Sequence, residues 1–105
     1  MSVFFMKVIE QRSEILVAAC DKDVVNLELF CKDVKIKVSQ KFYGNELVTE
    51  KELLDEIQRC TSANVIGVKV IKLLVENRLI HKDAVLWFEN PSDQKKKIGH
   101  AILIK

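Results

Sequence analysis

Hydrophobic residues in the first third of the chain fall into short runs that predict paired strands. Residues 3–10 and 15–20 are apolar runs separated by a polar turn at 11–14, which is typical of a hairpin. Residues 27–30 and 34–39 predict a second hairpin. Apolar and polar residues alternate in the second strand of that hairpin, so we expect it to have one packed face and one wet face.

The middle of the chain carries the spacing of an amphipathic helix. Thr49 and Glu52 form a capping-box pattern, in which each side chain accepts a backbone N–H at the start of a helix. The apolar residues that follow recur at helical spacing, and they are Leu53, Leu54, Ile57 and Cys60. These features predict a helix over residues 50–59.

The next segment has features of both a strand and a helix. Its β-branched residues and its glycine are typical of a strand, but the apolar run is longer than an ordinary strand and has helical spacing. With Thr61 or Ser62 as a cap, we predict a second helix over residues 63–77. A second apolar face on that helix would need cover from the sheet, a loop or a second subunit, which makes a homodimer possible through Val65, Val68 and Val75.

Two further strands are predicted near the end of the chain, over residues 84–88 and 99–104. A turn at 90–93 and a basic run at 95–97 lie between them. Strands on both sides of a helix pair favour an α+β fold. We expect residues 1–105 to form one domain, a two-layer sandwich in which a mostly antiparallel sheet carries two helices on one face.

Composition narrows the possible class of protein. The chain has 105 residues, a net charge of +2 and 49% hydrophobic residues, which is ordinary for a globular domain and gives no overall nucleic-acid signature. Its three cysteines are odd in number and include no C-x-x-C pair, so we expect free thiols in a reducing cytoplasm. No run approaches the length of a membrane span, and no signal peptide is recognisable, so a cytoplasmic protein is expected.

Cys20, Asp21 and His100 are weak candidates for a catalytic site. Cys20 could act as a nucleophile if its strand lies next to that of His100, with Asp21 orienting the ring. The alternative is that Cys20 is a small buried side chain and that His100 is structural. No nucleophile elbow is present, so enzymatic activity is not favoured. The sequence also predicts no metal and no cofactor, because it lacks closely spaced ligand pairs, a P-loop and a G-x-G-x-x-G motif.

A binding surface is the other kind of candidate. Lys35 and Lys37 project from the wet face of a predicted strand, and Tyr43 follows nearby in sequence. Basic side chains beside an exposed aromatic ring can track a phosphate backbone and stack a base, whereas an ordinary solvated face is the simpler interpretation. Phe42 and Trp87 are expected to be packed in the core.

The predicted start of the second helix offers another binding candidate. Thr61 and Asn64 lie there, and the free N–H groups of a helix start attract anions. Ordinary capping is the alternative for Thr61. Gly67 is costly inside a helix, so we expect it to allow a close approach of neighbouring structure.

Several motifs occur together in an order that resembles a known family. They are Cys20-Asp21, Phe42-Tyr43-Gly44, Thr61-x-x-Asn64-x-x-Gly67 and His100-Ala101. The set is similar to the archaeal family known as domain of unknown function four-two-four, over residues 3–101. The resemblance implies an archaeal cytosolic protein of small α+β fold and no established activity.

Our leading hypothesis is a non-enzymatic binding module that contacts RNA or a protein partner in translation or RNA metabolism. The second is a small enzyme or ligand-binding protein that uses Cys20, Asn64 and His100. The third is a homo-oligomeric structural protein joined through the valine face. The position of Tyr43 and Thr61 relative to Asn64 and His100 distinguishes a shared site from a set of architectural residues.

Overall fold

The structure, a computed structural model, describes residues 3–90 and 93–105, with the backbone alone for 93–96. The described residues form eight strands, three α-helices and one turn of 3₁₀-helix at Lys82–Ala84. In chain order these are β1 Phe4–Gln11, β2 Glu14–Asp21, β3 Glu28–Cys31, β4 Val34–Lys37, α1 Gln40–Tyr43, β5 Glu46–Val48, α2 Glu50–Arg59, β6 Ser62–Gly67, α3 Lys69–Glu76, β7 Leu86–Asn90 and β8 Asp93–Ile104.

All eight strands join one sheet in the order β4-β3-β7-β8-β6-β2-β1-β5. The β2–β6 pair is parallel, and the other described pairings are antiparallel. Both predicted hairpins, β1–β2 and β3–β4, are confirmed. A mixed fold of α-helices and β-strands, dominated by a mostly antiparallel sheet, is therefore confirmed.

The sheet has a packed core on each face, because side chains alternate along a strand. In β2, Val17 and Ala19 join a core that also contains the buried side chains of α2 and α3. Ala18 and Cys20 point to a second core, which contains Tyr43 of α1. We call the first the helix-side face and the second the opposite face. Two helices do share one face, but α1 lies on the other, so the predicted two-layer arrangement is only partly confirmed.

The first predicted helix is confirmed with its capping box. In α2 the Thr49 hydroxyl accepts the Glu52 N–H at 3.2 Å, and the Glu52 carboxylate accepts the Thr49 N–H at 3.0 Å. The helix ends near the ammonium of Lys105, which donates to the carbonyls of Ile57 and Gln58 at 2.6 and 2.8 Å. A cation at this end is favoured by the helix dipole. None of the described helices is long and apolar enough to cross a membrane.

The second predicted helix is wrong in its first half. Ser62–Gly67 forms strand β6, which pairs with β2 on one side and with β8 on the other, and α3 begins only at Lys69. A strand buried on both faces is apolar at consecutive positions, so its pattern resembles that of a buried helix.

The predicted valine face is also wrong, because its three members do not share a surface. Val65 lies fully buried in the helix-side core, whereas Val68 is exposed at the start of α3. Val75 packs partly buried against the helix-side core. A homodimer through these valines as one patch is therefore not available to this fold.

A buried carboxylate connects the end of β2 to the start of α3. Asp21 is 2% exposed, and its two oxygens accept the backbone N–H groups of Val68, Lys69 and Val70 at 2.7–2.8 Å. It therefore satisfies the free N–H groups of α3 in place of an N-cap side chain. Burial raises the pKa of Asp21, and the three N–H groups oppose that rise.

Gly67 makes this contact possible. Its φ of 151° is unfavourable for residues with a side chain, and a Cβ there would collide with the carboxylate of Asp21. The expectation of a close approach at Gly67 is confirmed, but the neighbour is Asp21 at a strand end. After Asp21 the chain forms a hydrogen-bonded turn over residues 22–26, which ends with Asn26 at a φ of 69°.

Further differences lie near the end of the chain. The last strand is longer than predicted, since β8 includes residues 93–98. The predicted turn at 90–93 lies partly outside the described residues, as do the side chains of Lys95 and Lys96.

Replacing Asp21 tests the connection between β2 and α3. We expect Asp21→Ala to lower the free energy of unfolding by about 2–4 kcal/mol, because it leaves three N–H groups without their charged acceptor. Urea unfolding followed by circular dichroism measures the loss. Asp55→Ala, which removes an exposed partner of Lys51 on α2, is the control and should cost less than about 1 kcal/mol. Equal losses in the two variants would contradict this account.

Candidate functional site

Three of the predicted site residues meet on the opposite face of the sheet. Asn64 Oδ1 lies 2.7 Å from the hydroxyl of Tyr43 and 2.9 Å from Nε2 of His100. These side chains come from β6, α1 and β8, so only the tertiary fold brings them together. Tyr43 is 6% exposed and therefore belongs to the support of this cluster and not to its surface.

The hydrogen bonds determine which polar groups remain available. A carbonyl oxygen only accepts, so Tyr43 donates its O–H and His100 donates from Nε2 to Asn64 Oδ1. In neutral His100 the other ring nitrogen, Nδ1, is then an acceptor. Among the described residues, neither Nδ1 of His100 nor Nδ2 of Asn64 has a protein partner, and neither atom is sealed from solvent.

Burial controls the charge of this cluster. It lowers the pKa of His100, so the ring is neutral at pH 7. Burial also raises the pKa of Tyr43, which keeps its hydroxyl protonated as a donor. The rings of His100 and Phe88 make a T-shaped contact, with centroids 6.4 Å apart. The cluster is therefore neutral and suited to hydrogen bonding.

Exposed aliphatic side chains lie on the same face of the sheet as this cluster. Leu86 is the cross-strand partner of His100, and Ile102 is the partner of Asn64, so each shares a face with the cluster. They are 50% and 58% exposed, and Ile104 on the same face is 79% exposed. We call Leu86, Ile102 and Ile104 the open apolar face.

The predicted catalytic constellation is not assembled. Cys20 and His100 are both register partners of Ile66, so β6 lies between their strands and separates them by about 10 Å. Cys20 is fully buried, and burial raises the pKa of its thiol to about 12. Asp21 is engaged with α3 and does not orient the ring of His100. Among the described residues, no three His, Cys, Asp or Glu side chains converge as metal ligands.

Thr61 lies away from the cluster and has a structural contact. Its hydroxyl accepts the Ile15 N–H at 2.9 Å and donates to the Ile15 carbonyl at 3.0 Å, which joins the starts of β6 and β2. The anion site expected at Thr61 and Asn64 is therefore wrong, because this segment is a strand and its backbone groups belong to the sheet. The true helix start, at α3, is already occupied by Asp21.

Lys35 and Lys37 do lie on an exposed strand face, but their aromatic neighbours differ from the prediction. Cross-strand pairs place Lys35 beside Phe30, Phe30 beside Glu89 and Glu89 beside Lys97. Trp87 is two residues from Glu89 and shares its face, which makes it the diagonal neighbour of Phe30.

Exposure corrects three sequence expectations. Phe30 and Trp87 are 42% and 44% exposed, and Phe42 is 36% exposed, whereas Tyr43 is buried on the opposite face. The expectations of a packed Trp87, a packed Phe42 and an exposed Tyr43 were therefore wrong. We call Phe30, Lys35, Lys37, Trp87 and Lys97 the aromatic–lysine face; it lies beyond α3 on the helix-side face.

The hairpin already contained the signal that places Phe30 there. A turn of two residues between β3 and β4 pairs Phe30 with Lys35 and Glu28 with Lys37. Alternation then puts Phe30 on the lysine face. No comparable local signal exists for Trp87, because the pairing of β7 with β3 joins distant parts of the chain.

Comparisons with known proteins agree with the expected family. A family model described as "Protein of unknown function (DUF424)" matches residues 9–100. No curated protein matches the chain. Among solved structures, an uncharacterized conserved protein from Methanopyrus kandleri is similar, with a TM-score of 0.69 and 18% identity over 97% of this chain and 93% of that one. At this identity the likeness shows the fold alone.

The half-buried His100 predicts a pH dependence of stability. Because the folded-state pKa of His100 lies below its ordinary value of 6.5, the unfolded chain binds a proton first as the pH falls. Stability is then full above pH 6.5 and is lost as the pH falls below it. We expect the free energy of unfolding, measured in urea, to fall less between pH 8 and pH 5 in His100→Gln than in the parent. These two pH values lie on either side of the ordinary histidine pKa of about 6.5. His81→Gln, at an exposed histidine, is the control, and a parent-like loss in His100→Gln would contradict the prediction.

Thiol reactivity tests the buried position of Cys20. Cys20 and Cys60 are buried and Cys31 is partly exposed, and only exposed thiolates react quickly. We expect iodoacetamide at neutral pH to modify Cys31 alone in the folded protein and all three thiols in urea, as measured by intact mass and peptide mapping. Rapid modification of Cys20 in the folded protein would restore the nucleophile hypothesis.

Proposed function

The chain belongs to the family described as Protein of unknown function (DUF424), and for this member we propose a non-enzymatic binding module that holds single-stranded RNA on the aromatic–lysine face. The observation that carries the proposal is the exposure of Phe30 and Trp87, at 42% and 44%, on adjacent strands. Diagonal neighbours in an antiparallel pair lie about 7–8 Å apart, within reach of aromatic side chains. Two exposed rings at this separation suit two stacked bases, and each stacked base contributes about 1–3 kcal/mol.

Lysines border the two rings and supply the phosphate contacts. Lys35 forms an ion pair with Glu28 at 2.8 Å, with side chains 61% and 48% exposed. An exposed pair of this kind contributes little to stability, so a phosphate can replace the carboxylate at small cost. Lys37 and Lys97 are also exposed. Because Glu28 and Glu89 share the face, we expect modest affinity with a clear salt dependence.

The shape of the face favours single strands over a duplex. Its residues lie on strands β3, β4, β7 and β8, and in the part of the chain that the structure describes no helix is placed there to enter a major groove. Sequence-tolerant proteins that hold single strands combine basic side chains with aromatic stacking platforms, as this face does. Aromatic side chains are also enriched where proteins bind each other. An experiment therefore has to distinguish RNA from a protein partner as the ligand of this face.

Trp87 provides a direct measurement, because it is the only tryptophan in the chain. Titration with a single-stranded oligouridine should quench its fluorescence, and the affinity should fall as salt rises. With two or three phosphate contacts, the slope of log K against log salt should be about −1.4 to −2.1. Fluorescence anisotropy of a labelled oligonucleotide extends the measurement to variants. Phe30→Ala and Trp87→Ala should each weaken binding by about tenfold, and Lys37→Ala should flatten the salt slope by about 0.7.

A matched lysine controls for general charge effects. Lys51→Ala removes the same charge from α2, which covers β1 and β2 in the other half of the sheet. It should bind RNA like the parent. Absence of salt-dependent quenching, or equal weakening by Lys51→Ala and Lys37→Ala, would exclude this face as an RNA platform and favour a protein occupant.

A further inference from the structure

The Tyr43–Asn64–His100 cluster leaves one donor group and one acceptor unused. Asn64 Oδ1 is saturated by Tyr43 and His100, so the remaining polar atoms are Asn64 Nδ2 and His100 Nδ1. The first donates and the second accepts. Both reach solvent, since no polar side-chain atom among the described residues is both buried and without a partner.

The orientation of these groups is set before any ligand arrives. Tyr43, the last residue of α1, is buried and determines which way the amide of Asn64 faces. The same oxygen determines which nitrogen of His100 carries the proton. A preorganised pair loses little conformational entropy on binding, which favours its use in recognition.

The surroundings of the pair indicate the kind of ligand. Leu86 and Ile102 lie beside His100 and Asn64, and both are at least half exposed. The two aromatic rings that contact the pair directly, Tyr43 and Phe88, are buried, so neither offers a nucleobase a plane to stack on. A group that carries both a C=O and an N–H and that has aliphatic neighbours fits these side chains best.

We propose that Asn64 and His100 bind the carboxamide of an Asn or Gln side chain in a peptide segment from a partner protein. The carboxamide C=O accepts from Nδ2 of Asn64, and its N–H donates to Nδ1 of His100. Apolar side chains of the peptide pack on the open apolar face. This site lies on the opposite face of the sheet from the aromatic–lysine face, so it is independent of RNA binding, and either proposal can fail alone.

Small probes test the site without a known partner. Isovaleramide combines a carboxamide with a branched aliphatic tail, and methyl isobutyl ketone has the same shape but no N–H. In ¹⁵N-labelled protein, isovaleramide should cause saturable shifts of the Asn64 side-chain NH₂ and of the His100 ring nitrogens. The ketone should bind at least about fivefold more weakly, because it cannot donate to His100.

Surface variants separate this site from non-specific binding. Ile102→Glu changes an exposed side chain beside the pair and should abolish the saturable shifts. Leu47→Glu makes a similar change on β5, where Leu47 is 42% exposed, and should bind like the parent. Leu86→Glu serves as a second variant if Ile102→Glu does not fold.

Three results would overturn the proposal. The first is no saturable shift with isovaleramide up to its solubility limit. The second is equal affinity for the amide and the ketone, which would reduce the site to an apolar patch. The third is a larger effect of adenosine or uridine than of isovaleramide at Asn64 and His100, which would assign this face to RNA.

Discussion

The carboxylate of Asp21 is the contact on which the rest of the arrangement depends. It lies where β2 ends and accepts the first N–H groups of α3, so it determines where that helix leaves the sheet. Gly67 has no side chain to obstruct this approach. One consequence concerns ligands: the helix start that would attract an anion is already satisfied from within the protein. Recognition therefore falls to the faces of the sheet.

The central position of β6 in the sheet determines which side chains those faces carry. Since β6 lies between β2 and β8, alternation sends Val65 under the helices and Asn64 to the opposite side. There Asn64 lies within hydrogen-bond distance of Tyr43 and His100. The same central position puts a strand between Cys20 and His100, which removes the nucleophile arrangement. The position of β6 between β2 and β8 thus creates the Tyr43–Asn64–His100 cluster and keeps Cys20 apart from His100.

Part of the sheet is exposed because the sheet is wider than the two helices that pack on it. Eight strands spaced about 4.8 Å apart span about 34 Å, whereas two helices side by side cover about 20 Å. Some of the helix-side face must remain uncovered, and β3, β4 and β7 carry Phe30, Trp87 and the lysines there. On the opposite face the short α1 leaves Leu86 and Ile102 open. The two surfaces differ in chemistry, one aromatic and basic, the other aliphatic with a neutral hydrogen-bonding pair.

The amino-acid sequence by itself determined the features that arise from contacts between near neighbours. The two hairpins, the α2 helix with its Thr49–Glu52 box and the family resemblance were all readable from it. Only the tertiary structure decided whether Ser62–Gly67 is a strand, because a segment buried on both faces has no diagnostic period. It also decided that Tyr43 is buried and that Trp87 is exposed, since burial depends on which distant strand or helix lies alongside. Local chemistry specifies the elements, and long-range pairing specifies which of their side chains meet water.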